Sequence, residues 1–206
     1  QGRDFRTSPI NTMIVGGEDL KVNLAKSIAT IFPEGLKIFN EYGPTEATIG
    51  CIVSQYDKKG HTGTSVPIGK PIANMWAYVL DVHKNLVPQG VIGELYLGGM
   101  GLANGYVNDP EKTAEKFLAD PFFADEASTL YRTGDLARNN GHGELEYLGR
   151  SDDQVKIRGH RIELADIESN LALHPAVQNC AVVVVHQEQS VPEDEVVHCI
   201  RCGLPS

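Results

Sequence analysis

Basic residues are scarce in this chain. Its 206 residues carry 18 Lys and Arg against 27 Asp and Glu, a formal net charge of −9. A nucleic-acid binder needs a basic face to displace phosphate counterions, so no nucleic-acid partner is expected. An anionic membrane surface is disfavoured by the same charge balance. Long apolar runs are missing as well: none approaches the roughly 20 residues that cross a bilayer. No membrane partner is expected. Cysteine is sparse: Cys51 and Cys180 stand alone, and only Cys199 and Cys202 are close together. That single Cys-x-x-Cys, with His198 beside it, lacks the second pair of a zinc site and the context of a redox motif. Reduced thiols are expected, which fits a cytoplasmic location. The N-terminal Gln1-Gly2-Arg3-Asp4 has neither a start Met nor a signal-peptide apolar core, and reads as an internal starting point.

What is present is ordinary globular material, 41% hydrophobic and 22% charged, enough for one or two domains. The beginning reads strand, helix, strand. Thr12-Met13-Ile14-Val15 runs into Gly16-Gly17, and Leu20, Leu24 and Ile28 then recur on one helical face with Asp19 as N-cap. Pro33 and Gly35 stop that helix before a second strand from Leu36 to Phe39. Such a unit is normally parallel with a right-handed crossover, and ligands sit beyond the carboxyl ends of its strands. Gly16-Gly17 and the run Asn40 to Glu46 fall at that edge.

From about Val66 to Arg150 the pattern changes to short β-rich runs, Trp76 to Leu80, Glu94 to Leu97 and Glu144 to Leu148, separated by Gly and Pro turns. One helix interrupts them, with Asp109 as N-cap, Pro110 at its first position and Phe117-Leu118 on its buried side. The polar, glycine-bracketed stretch Gly149 to Gly159 is a boundary candidate. After it come a helix carrying Ile167 and Leu171, ended by Pro175, and an apolar strand from Ala181 to Val185.

Three strings carry chemistry. In Asn40-Glu41-Tyr42-Gly43-Pro44-Thr45-Glu46 a tight turn presents an amide, an aromatic ring, a hydroxyl and a carboxylate together. That set suits a nucleotide with Mg2+, for which Glu46 is a hard oxygen ligand; a turn merely capped by Thr and Glu is the other reading. In Tyr131-Arg132-Thr133-Gly134-Asp135-Leu136 the carboxylate is placed to accept from ribose hydroxyls or to close an Asx turn. Gly149 to Gly159 reads as a hinge or as a solvated hairpin.

These strings, with Gly16-Gly17-Glu18, Gly93-Glu94-Leu95, Gly101 to Tyr106 and the run Gly149 to Leu164, occur in the order of the adenylate-forming superfamily's signature motifs. The chain most resembles the amino-acid adenylation domains of nonribosomal peptide synthetases. The resemblance implies an α/β plus α+β fold: residues 1–71 as the end of the nucleotide- and substrate-binding core, 72–151 as a distorted-barrel subdomain, and 152–206 as the hinge and part of a small lid. It implies an AMP-forming ligase with ATP and Mg2+, whose acyl-adenylate passes to phosphopantetheine on a peptidyl carrier protein.

By the same resemblance, Gly17 and the run Asn40, Glu41, Tyr42, Gly43, Pro44 and Thr45 contact nucleotide. Asn40 and Tyr42 hold adenine and Thr45 the phosphate, while Glu46 holds the metal and acts with Thr45 in catalysis. Asp135 binds ribose, with Arg150 near it and Tyr147 packed on the nucleotide. Met13, Val15, Glu41, Ile49 and Gly50 line the amino-acid pocket, where the Glu41 carboxylate favours a polar or cationic side chain. Asp152 is the hinge, and the loop of Gly159 lines the thiol's approach.

The family's phosphate loop and amine-gripping Asp belong upstream of Gln1, and its lid Lys has no match after Asp194. Asn104 stands where the family usually has Arg, and Ala165-Asp166 where Gly-Glu is usual. The expectation is an excised middle, nearly inactive alone. An acyl-CoA synthetase of the same superfamily and a non-catalytic nucleotide-binding piece are the alternatives.

Overall fold

A computed structural model of the chain describes residues 5–123, 128–152, 154–157, 160–174, 177, 179–185 and 196–199. It divides into two compact units, Gln1–Ser151 and Asp152–Ser206.

In the first unit, β1 (Thr12–Gly16) pairs parallel with β2 (Lys37–Tyr42) across helix α1 (Val22–Ile31). The parallel crossover is as the spacing predicts. The helix face is not. Its buried residues are Val22 and Ala25, while Leu24 is 52% exposed and Leu20 is buried ahead of the helix. Starting at Val22 turns Leu24 outward. Asp19 does not cap; its carboxylate accepts from Lys21 Nζ and Ser65 Oγ, both at 2.7 Å. Beneath α1, Leu20, Val22, Ala25, Ile38, Tyr56 and Val66 form one core cluster. Antiparallel β3 (Ile52–Gln55) and the short β4 (Lys70–Pro71) complete the sheet in the order β1-β2-β3-β4.

A second, antiparallel sheet contains β5 (Met75–Leu80), β6 (Gly93–Gly99), β7 (Phe117–Ala119), β8 (Thr129–Asn139) and β9 (Leu145–Arg150). Its centre is the eleven-residue β8, which pairs with β6 along one edge and with β7 and then β9 along the other. Helix α2 (Pro110–Lys116) is capped as expected: the Asp109 side chain accepts from the Lys112 amide at 2.9 Å. Phe117 and Leu118 leave that helix, however, and pair as β7 with Tyr131 and Leu130. The aromatic Phe117 is worth more packed on the sheet against Tyr131, rings 5.1 Å apart, than as a last helical turn.

The largest core lies between the two sheets. Tyr42, Ala47, Cys51, Ile52 and Ile68 meet Val79, Leu95, Leu97, Tyr131, Ala137 and Leu145 there. Leu95, Leu97 and Tyr131 are fully buried, each worth about 1.5–3 kcal/mol of transfer free energy. This core fixes the end of β2 against the middle of β8.

The second unit contains the hairpin β10 (Val155–Ile157) and β11 (His160–Ile162), helix α3 (Leu164–Ala172), and the antiparallel pair β12 (Val182–Val185) and β13 (Val196–Cys199). Glu168 on α3 ties the helix to β12, its Oε1 accepting from the Val182 amide at 2.8 Å. Cys51 and Cys180 are free thiols, as expected. Gly159 and Cys202 lie outside the described residues, and so does the side chain of Cys199.

Candidate functional site

Strand β2 delivers three residues to one end of the sheet. Its alternation puts Ile38, Asn40 and Tyr42 on one buried face, and Phe39 and Glu41 on the other. Tyr42 is 6% exposed, and its hydroxyl donates to Asp135 Oδ2. Burial, then the Asp135 charge, pushes the Tyr42 phenol well above its ordinary value, so it is a hydrogen-bond donor at any physiological pH.

Asp135 does not close a turn. It sits inside β8 at a bulge, where the strand runs from Arg132 to Leu136 against only Tyr96 to Glu94 of β6. A bulge re-aims a side chain without ending the strand. The carboxylate is 4% exposed and accepts from Arg150 Nη1 at 2.6 Å. Arg150 also donates to the Thr133 carbonyl at 3.2 Å, and the Thr133 hydroxyl receives the Asp135 amide at 2.9 Å. Tyr147, three residues before Arg150 on β9, tilts against Tyr42 with ring centroids 6.4 Å apart. The structure thus brings together Tyr42, Asp135, Tyr147 and Arg150, nominated from three separate stretches of sequence.

Asn40 is 2% exposed and its amide is engaged inward, donating to the carbonyls of Val66 and Pro67 at 3.0 Å each. Gly43 is a steric requirement: a Cβ there would lie 2.0 Å from the Ile49 carbonyl oxygen. After Pro44, a single 3-10 turn (Thr45–Ala47) leaves Thr45 exposed and Glu46 buried at 9%. Glu46 Oε1 accepts from the Tyr106 hydroxyl at 2.6 Å. Among the described residues no group of three or more His, Cys, Asp or Glu could hold a metal ion. A lone buried carboxylate fits Mg2+, which binds through one or two carboxylates and substrate phosphates and keeps its waters.

The residues nominated for an amino-acid pocket divide. Met13 and Val15 pair with Ile38 and Asn40 and share their face, and Val15 packs into the cluster under α1. Glu41 faces the other way. Gly16 pairs with Glu41, and a Cβ on Gly16 would lie 2.7 Å from the Glu41 carbonyl oxygen. A Cβ on Gly50 would lie 2.3 Å from Glu41 Oε1. Ile14, 63% exposed, shares the Glu41 face. Strand alternation therefore groups Ile14 and Gly16, and not Met13 and Val15, on the face of Glu41. Ile49 is 69% exposed and, with Thr48, adopts a left-handed backbone, φ 69° and 58°. Gly17, at the carboxyl end of β1, is exposed with φ 91°. Asp152 opens the second unit, exposed, with Oδ1 accepting from the Gln154 amide at 3.3 Å.

Comparisons with known proteins agree on a family. The family model described as AMP-binding enzyme matches residues 2–107. Bacitracin synthase 3 of Bacillus licheniformis is 51% identical over 179 residues, 87% of this chain and 3% of that protein. Tyrocidine synthase 3 of Brevibacillus parabrevis is 50% identical over 187 residues, 91% of this chain and 3% of its own length. The chain thus spans only a small part of these curated relatives. Among solved structures, PA1221, a nonribosomal peptide synthetase protein with adenylation and PCP domains, superposes with a TM-score of 0.80 at 30% identity over 93% of this chain and 38% of that one. The Vibrio cholerae adenylation domain AlmE, solved with glycyl-adenosine-5'-phosphate, gives 0.71 at 32% identity over 84% and 32%. No described helix is long and apolar enough to cross a membrane. On fold, motif order and sequence alike, this chain belongs to the AMP-binding enzyme family, alongside the adenylation domains of nonribosomal peptide synthetases.

Proposed function

We propose that the chain supplies the nucleotide-holding part of an ATP- and Mg2+-dependent ligase that activates an amino acid for transfer to a carrier-protein thiol. The observation that carries this is the buried Asp135 carboxylate, set by Arg150 and the Tyr42 hydroxyl where β2 meets β8. A fixed, charged acceptor of this kind suits the two adjacent hydroxyls of a ribose. Tyr42 and Tyr147 offer ring faces beside it for the base and sugar. Thr45, exposed at the turn, would contact the phosphates, and Glu46 would hold the metal, whose charge would offset that on the transferring phosphoryl group.

The chemistry runs in two displacements. A carboxylate oxygen of the amino acid bonds to the α-phosphorus of ATP as the bond to pyrophosphate breaks. The thiolate sulfur of phosphopantetheine then bonds to the acyl carbon, and AMP departs with the carbon–oxygen electron pair. Asp135 and Arg150 hold the ribose through both displacements. Asn40, bonded to the Val66 and Pro67 carbonyls, fixes the strand that carries Tyr42 beside the adenine it would hold. Asp152 serves as the hinge between the units, and the Gly159 loop as part of the thiol's path. Glu41, with Ile14, Gly16, Ile49 and Gly50, forms a wall of the amino-acid pocket, and its carboxylate selects a polar or cationic side chain.

The test is ATP–pyrophosphate exchange with a panel of amino acids, run on this chain and on any longer polypeptide encoded in frame with it. Exchange dependent on a polar or cationic amino acid and lost in D135N supports the proposal. Exchange driven by aliphatic amino acids removes the role given to Glu41. Thioester formation with free coenzyme A but not with a carrier protein favours an acyl-CoA synthetase, and AMP binding without exchange favours a non-catalytic role.

A further inference from the structure

The loop that presents Glu46 is held in shape from outside. Thr48 and Ile49 both take left-handed backbone conformations, which are strained for β-branched residues and persist only where surrounding structure imposes them. The imposing structure is the segment after β6. Thr48 Oγ1 donates to the Gly101 carbonyl at 2.6 Å, and the Ala103 amide donates to the Glu46 carbonyl at 2.8 Å. The Tyr106 hydroxyl completes the set, donating to Glu46 Oε1 at 2.6 Å from 60 residues away.

Tyr106 is in turn fixed by α2 and β7. Its amide donates to Thr113 Oγ1 at 2.9 Å, and that hydroxyl donates to the Asp109 carbonyl at 2.7 Å. Lys112 Nζ lies 5.1 Å from the Tyr106 ring centroid, and Phe117 meets the ring edge-on with centroids 5.8 Å apart. Gly105, at φ 137°, lets the backbone approach: a Cβ there would lie 2.4 Å from Thr113 Cγ2. Burial, then the bond to Glu46, raises the Tyr106 phenol above its ordinary value, so it stays a donor. The ring is thus held between a helix and a strand, with its hydroxyl on the Glu46 carboxylate.

We propose that Tyr106 is a positioning residue for Glu46: its hydroxyl sets the carboxylate in the orientation that receives the divalent cation accompanying ATP. The inference rests on the assignment of Glu46 as metal ligand made above. Its physical basis is that a short, charge-assisted hydrogen bond from an immobile donor removes rotamers that a glutamate would otherwise sample.

The test is Mn2+ binding followed by electron paramagnetic resonance, with ATP present, in the wild-type chain, Y106F, E46Q and the double variant. Metal-free AMP affinity and circular dichroism serve as controls. Loss of a group that orients a ligand weakens metal binding by about tenfold or more. Y106F should therefore bind Mn2+ at least about tenfold more weakly, with metal-free AMP affinity unchanged and no further loss when E46Q is added. Wild-type Mn2+ affinity in Y106F, with E46Q impaired, overturns the inference while leaving the Glu46 assignment standing. Unchanged affinity in E46Q, or no Mn2+ bound by the wild type, overturns the assignment and the inference together. If Y106F loses its fold, 3-fluorotyrosine at position 106 gives a second readout. Its fluorine resonance should shift on addition of Mg2+ and ATP in the wild type and not in E46Q; a resonance that never moves overturns the inference.

Discussion

Asp135 and Arg150 face each other across the β8–β9 ladder, joined by a 2.6 Å ion pair whose side chains are 4% and 9% exposed. A pair this deep owes its worth to being complete. Removing one member leaves the other charged and buried, at a cost of about 3–5 kcal/mol.

Arg150→Met should therefore lower the urea unfolding free energy by about 3–5 kcal/mol. Asp135→Asn should weaken AMP binding roughly 30-fold, the loss of about 2 kcal/mol from a charge-assisted acceptor. The double variant should cost less than the two single changes added together, because each single change strands the other's partner. Equilibrium unfolding and calorimetric titration check all three.

Cys51 gives a pH dependence. Burial, with the charge of Glu41 adding to it, pushes its thiol from 9.0 up to about 12. The folded state then holds its proton more tightly than the unfolded chain, so the thiol's contribution is full below pH 9 and is lost as pH rises toward 12. Stability should fall with a slope approaching about 1.4 kcal/mol per pH unit in that window. Cys51→Ala should flatten that part of the curve, and native Cys51 should resist alkylation at pH 8 until the chain is unfolded.

Gly43 and Gly35 separate steric from conformational cost. An alanine at Gly43 would meet the Ile49 carbonyl oxygen at 2.0 Å, whereas Gly35, at φ 90°, has nothing within 4 Å. Gly35→Ala should cost only about 1 kcal/mol of backbone strain. Gly43→Ala should cost about 3 kcal/mol and displace the Glu46 turn. Thermal melts rank the two, and the proposal for this loop predicts lost nucleotide binding only for Gly43→Ala.

Helix α2 carries Tyr106 through its first turn, so its cap reaches the site. Asp109→Ala should cost about 1 kcal/mol. Faster amide exchange should follow at Lys112 and Thr113, whose amides bond the Asp109 side chain and carbonyl.

Local chemistry was legible in the sequence. Gly43-Pro44 announced its turn and Asp109-Pro110 its helix start, because turn and cap signals act over a few residues. The parallel β1–α1–β2 unit followed from spacing alone. Errors came where one residue of phase mattered. A helix beginning at Val22 turned Leu24 outward, and the alternation of β1 sets Val15 on the face opposite Glu41 and Ile14 on the same one.

The sequence by itself determined the chemistry on offer: Tyr42, Glu46, Asp135 and Arg150 stood out by type and motif, and Tyr147 by the family resemblance. Tertiary structure alone decided how they are used. Tyr42 reaches Asp135 across 93 residues, and Glu46 meets Tyr106 across 60. Asp135, whose Gly-Asp pair also reads as a turn, lies in a bulge against β6 inside an eleven-residue strand. These placements depend on the register of β8 with β6 and β9 and on the core between the two sheets. Register is a long-range choice, settled by which faces bury together, and no window of neighbouring residues contains it.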